Sequence, residues 1–143
     1  MNEKLEHLKK SGAVFLPPSN AHVLELANMA FQQMKASIMA KELTDFYLSY
    51  GGAILGDACV FPADDINREE SHYILPSIIK ANRDLSHFPV IRGKTIWGQN
   101  QFYLFSCDGV GGMYMHDVLT LQILRKYSDF WTAMSDCLLV GKV

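Results

Sequence analysis

The chain of 143 residues is poor in the features that most readily assign a chemistry. No apolar run approaches the roughly 18 residues of a membrane-spanning helix, so no membrane partner is expected. The first residues, "MNEKLEHLKKSGAVFLPP", are charged and lack the continuous apolar stretch of a secretory signal. There are only three cysteines, Cys59, Cys107 and Cys137, far apart and without a Cys-x-x-Cys pair. That count and spacing suit reduced thiols, and a cytoplasmic location is expected. Basic charge is not in excess either. The formal net charge is −2, which argues against general nucleic-acid binding but leaves a basic protein partner open. The five histidines include no His-x-x-x-His and no His-Glu-x-x-His, so no metal and no other cofactor is expected. Repeats, low-complexity tracts and linkers are also missing, and a single domain over residues 1–143 is expected.

What is present is a patterned, foldable chain, with nearly half its residues hydrophobic. The spacing of Leu5 and Leu8 predicts a short helix over residues 3–11. After the break at Pro17 and Pro18, Ser19 or Asn20 can cap a second helix. Its predicted buried stripe is Val23, Leu26, Ala27, Ala30, Phe31, Met34 and Ile38. Leu43, Phe46, Tyr47 and Tyr50 make the stripe of a third helix, with Gly51 expected to end it in the left-handed region. "AIL" and "ACVF" then read as short strands joined at Gly56-Asp57. "ILPSIIKANRDL" predicts a helix with Pro76 in its first turn. "KTIWG", "QFYLFSC", "GMYMHD" and "TLQILRKY" predict four strands. Phe102 to Phe105 are apolar on both parities, as in an interior strand, whereas Leu121 and Ile123 opposite Gln122 suggest a half-buried one. Ser128 can cap a closing helix with Phe130, Ala133, Met134, Cys137 and Leu138 buried. The order indicates an α+β fold, an antiparallel β-sheet meander packed with N-terminal helices and a C-terminal helix.

Candidate chemistry is sparse. "CDGVGG", residues 107–112, lacks the Gly-Lys-Ser/Thr ending of a phosphate loop and reads as a hairpin connection. His116-Asp117, with Cys107 on the neighbouring strand, would make a nucleophile and base if the side chains converged. The other reading is a partly exposed His at a strand end, with Asp117 opening a turn. Asp64 and Asp65 are half of an acid/base pair or a solvated turn. Trp97 lies on an apolar strand as a core residue or an interface anchor. No catalytic residue is assigned.

"KELTDFYLSYGG" followed by "AIL" resembles the signature of the SUKH superfamily, the Smi/Knr group of cell-wall-regulator homologues. There an amphipathic helix ends in a Gly-Gly turn and leads into a hairpin. "GQNQFYLFSCDGVGGMYMHDV" is similar to the family's central strands, and "SDFWTAMSDCL" to its closing helix. "IMAKEL" stands where members often carry Leu-Pro, and Tyr50 where many have Asn, as in a divergent subgroup. The resemblance implies a non-enzymatic protein-binding domain, and for bacterial members an immunity protein that neutralises a toxin. A regulatory interaction domain and a small cysteine/histidine enzyme are the alternatives. Residues 57–70 carry five acids, Asp57, Asp64, Asp65, Glu69 and Glu70, against one base, Arg68. On composition this is a solvated loop. The resemblance raises a second reading, in which these acids face a basic toxin domain and Trp97 supplies an apolar anchor.

Overall fold

The computed structural model describes residues 3–64, 76–85 and 88–139. Among them are five α-helices: α1 (Glu3–Lys10), α2 (Ala21–Gln33), α3 (Lys41–Ser49), α4 (Ile78–Leu85) and α5 (Phe130–Leu138). Seven strands form one sheet: β1 (Val14–Phe15), β2 (Ala53–Leu55), β3 (Ala58–Val60), β4 (Thr95–Gln99), β5 (Tyr103–Cys107), β6 (Met113–Asp117) and β7 (Ile123–Tyr127). Strand order follows chain order and every neighbouring pair is antiparallel. The fold is therefore α+β with an antiparallel meander, as the sequence predicts. No helix among the described residues is long and apolar enough to cross a membrane.

Helix α5 lies against β3 to β7 and also packs on α1, while α4 lies on β4. The buried stripe of α5 is the predicted one, Phe130, Ala133, Met134, Cys137 and Leu138. Its cap is Asp129 instead of Ser128, with the carboxylate accepting from the Thr132 N–H. Helix α2 is capped by Asn20 as expected, but buries Leu24, Ala27 and Phe31. Leu26 is exposed, so the apolar face is rotated from the predicted one. Helix α4 begins after Pro76, with the Ser77 hydroxyl accepting from the Lys80 N–H, so Pro76 lies outside the first turn.

The β2–β3 hairpin turns at Gly56-Asp57 with Gly56 alone at positive φ, 61°, which suits a type II′ turn. The glycine pair before it works differently from expectation. Helix α3 ends at Tyr50 in extended backbone, and Gly51 is not at positive φ. Gly52 is the sterically required glycine: a Cβ there would lie 3.1 Å from the Val60 carbonyl oxygen and 3.2 Å from Pro62 Cα. The left-handed helix end occurs at Lys35 instead (φ 62°), where the Ala36 N–H reaches back to the Phe31 carbonyl at 2.9 Å.

Strand β4 is bulged between Ile96 and Gly98, and Trp97 is the residue that shifts the register. Where β3 ends, Asn82 of α4 takes over as a partner of β4. Its side-chain carbonyl accepts from the Ile96 N–H at 2.7 Å, and its amide donates to the Ile96 carbonyl at 2.8 Å. The strand edge is thus satisfied by a side chain acting as a short length of backbone. Strand β5 is buried on both parities from Leu104 to Cys107, but Phe102 lies before it and is exposed. Strand β7 is not the half-buried strand predicted, because residues 123–126 are exposed and only Tyr127 is buried.

Candidate functional site: an acidic, aromatic groove between three helices

The third helix has two working faces. Leu43, Phe46 and Tyr47 are buried. One residue round from that stripe, Glu42, Asp45, Phe46 and Ser49 recur at i, i+3, i+4 and i+7, so they align along the helix. Together with Tyr50, Trp131 of α5 and Leu5 of α1 they line a groove of about 330 Å³. Two carboxylates stand on one wall, Trp131 on the other, and Phe46 forms the buried floor.

The floor is rigid for a physical reason. Phe46 sits among the rings of Phe15, Tyr47, Tyr50, Phe130 and Trp131, at centroid separations of 5.7 to 6.3 Å. Phe130 passes the packing on to Trp97 at 5.1 Å, and Trp97 to Phe105 at 5.6 Å. Tilted and edge-on pairs at these distances each add stabilisation beyond their buried area. The groove is therefore the surface end of an aromatic chain that runs into the core.

Its electrostatics follow from the same residues. Glu42 Oε2 accepts from the Phe130 N–H at 3.2 Å, which ties α3 to the start of α5. Asp45 pairs with Lys41 at 2.8 Å, both side chains largely in solvent. Lys9 lies over the Tyr50 ring at 5.4 Å and donates to its hydroxyl at 3.2 Å. The lining itself contains two acids and no basic residue.

The residues singled out from the sequence are distributed differently. Asp57 is exposed in the β2–β3 turn, and Asp64 is half-buried beyond the other end of β3, so the strand separates them. Neither lines the groove. Asp65, Glu69 and Glu70 lie outside the described residues. Trp97 is fully buried, which corrects its reading as a partner contact: the bulge and α5 enclose it in the core. The tryptophan at the surface groove is Trp131. Its place in "SDFWTAMSDCL" marks it as helical, but its meeting with α3 depends on chain nearly ninety residues away.

The proposed nucleophile and base do not meet. Cys107 pairs with Met113, and His116 lies three residues further along β6 opposite Leu104. An odd offset places the two side chains on opposite faces of the sheet. Both are fully buried, and burial pushes the Cys107 thiol up to about 12. Cys59 is likewise pushed up to about 12, and Cys137 is also raised. All three cysteines are free and buried. The partner His116 does find is Ser106, whose hydroxyl lies 2.7 Å from Nε2, while Nδ1 lies 3.0 Å from the Leu121 carbonyl. A carbonyl only accepts, so Nδ1 carries the proton and Nε2 accepts from Ser106. His116 is thus a buried tie across the β6–β7 turn, correcting the expected partly exposed strand end. Asp117 does open that turn, accepting from the Leu119 and Thr120 N–H groups.

"CDGVGG" is the β5–β6 connection. Asp108 organises it by accepting from the Val110 and Gly112 N–H groups and from the Tyr114 hydroxyl at 2.6 Å. Burial alone would raise this carboxyl, but these three bonds, with the nearby charge of Lys94, outweigh it and hold it below the usual value. Among the described residues no three His, Cys, Asp or Glu side chains converge as metal ligands. Neither a comparison with protein-family models nor one with curated proteins gives a match.

Proposed function

We propose that the chain is a non-enzymatic protein-binding domain of the SUKH type, acting as an immunity protein that neutralises a basic toxin domain in the cytoplasm of the bacterial cell that makes both. The observation that carries the reading is the groove. Aromatic surface with acids at its rim is the composition of a protein-binding hot spot suited to a cationic partner. The α+β meander and the helix leading into the Gly51-Gly52 turn are compatible with the resemblance. Glu42 and Asp45 supply the acidic side of this surface, because they flank the half-buried rings of Tyr50 and Trp131. Opposite charge across such an interface speeds encounter and disfavours wrong partners.

The reading expects a toxin gene beside that of the chain. Its test is co-expression of the chain with the C-terminal domain of that toxin. Protection from killing is expected, together with a stable complex of the two proteins. Undiminished killing in the presence of the folded chain refutes the reading.

A further inference from the structure

The groove has a more specific chemistry than a generic interface. Glu42 and Asp45 stand one helical turn apart on α3, and Trp131 faces them from α5. A ligand group that satisfies both walls must be cationic, flat enough to lie along a ring, and able to donate several hydrogen bonds at once. A guanidinium has all three properties, whereas an ammonium is a compact, strongly hydrated point charge. We propose that the groove takes the guanidinium of an arginine presented by a basic segment of a partner protein. The inference deepens the protein-binding reading and rests on it.

Three observations support that occupant. One ring of the lining already meets a cation from the same chain, since Lys9 lies 5.4 Å from the Tyr50 ring centroid and donates to its hydroxyl. The Lys41–Asp45 pair is solvent-exposed on both sides, so exchanging Lys41 for an incoming arginine costs little. The Glu42 carboxylate holds the Phe130 N–H through Oε2, which fixes its position while a carboxylate retains capacity for further donors. Pre-organised acceptors of this kind raise affinity by reducing the ordering that binding requires.

The test uses the full chain, labelled with nitrogen-15, titrated with a blocked Gly-Arg-Gly-Arg-Gly peptide and with its lysine and glutamine counterparts. The arginine peptide is expected to shift the Trp131 indole and the Ser49 and Tyr50 amides while leaving the Trp97 indole in place. The lysine peptide should bind several-fold more weakly and the glutamine peptide should produce no shift. Glu42→Gln with Asp45→Asn keeps the shape and the Phe130 tie, and should weaken binding about tenfold or more as the charge-assisted bonds are lost. Trp131→Leu should weaken it as well, with circular dichroism unchanged. Equal shifts from the glutamine peptide, equal affinity for lysine, undiminished binding by the double variant, or no shift at millimolar peptide each overturn the inference. A chain that neutralises its toxin without binding the arginine peptide has lost this inference but kept the protein-binding reading. A chain that binds the peptide at this groove and neutralises nothing keeps the inference and the protein-binding reading but loses the immunity role.

Discussion

At the scale of single residues, burial decides what each titratable group does. The imidazole of His116 is enclosed by the sheet, and burial lowers its pKa below the ordinary value of 6.5. The Leu121 carbonyl on Nδ1 opposes that shift without cancelling it, and Lys94 adds to the lowering. The sign follows directly. The unfolded chain binds this proton more readily than the folded one, so the contribution of His116 to stability is full above pH 6.5. It is lost as pH falls from 6.5 through the lowered folded value. Urea unfolding of the parent and of His116→Phe between pH 5 and pH 8 measures it. The stability difference between the two proteins should change with pH below about 6.5 and stay constant above it. A difference independent of pH across that range would mean that the ring is not held neutral in the folded protein.

At the scale of elements, periodicity was a good guide to where strands and helices lie and a poor guide to what meets them. The predicted runs "KTIWG", "QFYLFSC", "GMYMHD" and "TLQILRKY" contain β4 to β7 to within a few residues, because short β-type runs there are separated by turn-forming residues. The groove was half legible. The α3 positions Glu42, Asp45, Phe46 and Ser49 share a helical face by spacing alone, but nothing local says that Trp131 will close the opposite wall. Trp97 was ambiguous for a related reason, since a bulge changes which face a strand residue occupies and depends on the partner strand. The glycine rule failed at Gly51 because the chain leaves α3 through extended backbone at Tyr50. The same rule applies at the end of α2, where Lys35 occupies the left-handed position that glycine occupies most easily. A lysine there carries a steric cost of about 1 kcal/mol. Lys35→Gly should therefore stabilise the protein by about 0.5 kcal/mol, net of the added freedom of the unfolded chain. Chemical unfolding checks the sign, and a destabilised variant would show that the side chain holds the α2 end in some other way.

At the scale of the whole molecule, an open seven-stranded sheet has two edges to protect. At one end β1 is only two residues long, which limits its ability to template another strand. At the other end, β7 pairs with β6 alone among the described residues, and Ile123 and Leu124 on it are exposed. A five-residue edge strand with exposed apolar side chains invites pairing with another chain. What opposes this is the charge at Arg125 and Lys126. Arg125 is held over the Tyr127 ring at 4.7 Å and bonded to Asp136 at 2.8 Å, so its charge is partly matched within the fold. Lys126 lies 5.6 Å from the Tyr114 ring on an exposed strand and is the more available deterrent, because an approaching β7 of a second copy would bring a like charge against it. Lys126→Val, which turns the edge into Ile-Leu-Arg-Val-Tyr, should associate at concentrations where the parent stays dispersed. Lys126→Glu, which keeps a charge but loses the amine over Tyr114, should behave like the parent. Light scattering over a concentration series, with circular dichroism to confirm folding, separates the two. If folded Lys126→Val remains as dispersed as the parent, edge charge is not what keeps copies of the chain apart. If Lys126→Glu also associates, the contact with Tyr114, and not the charge, is what guards the edge.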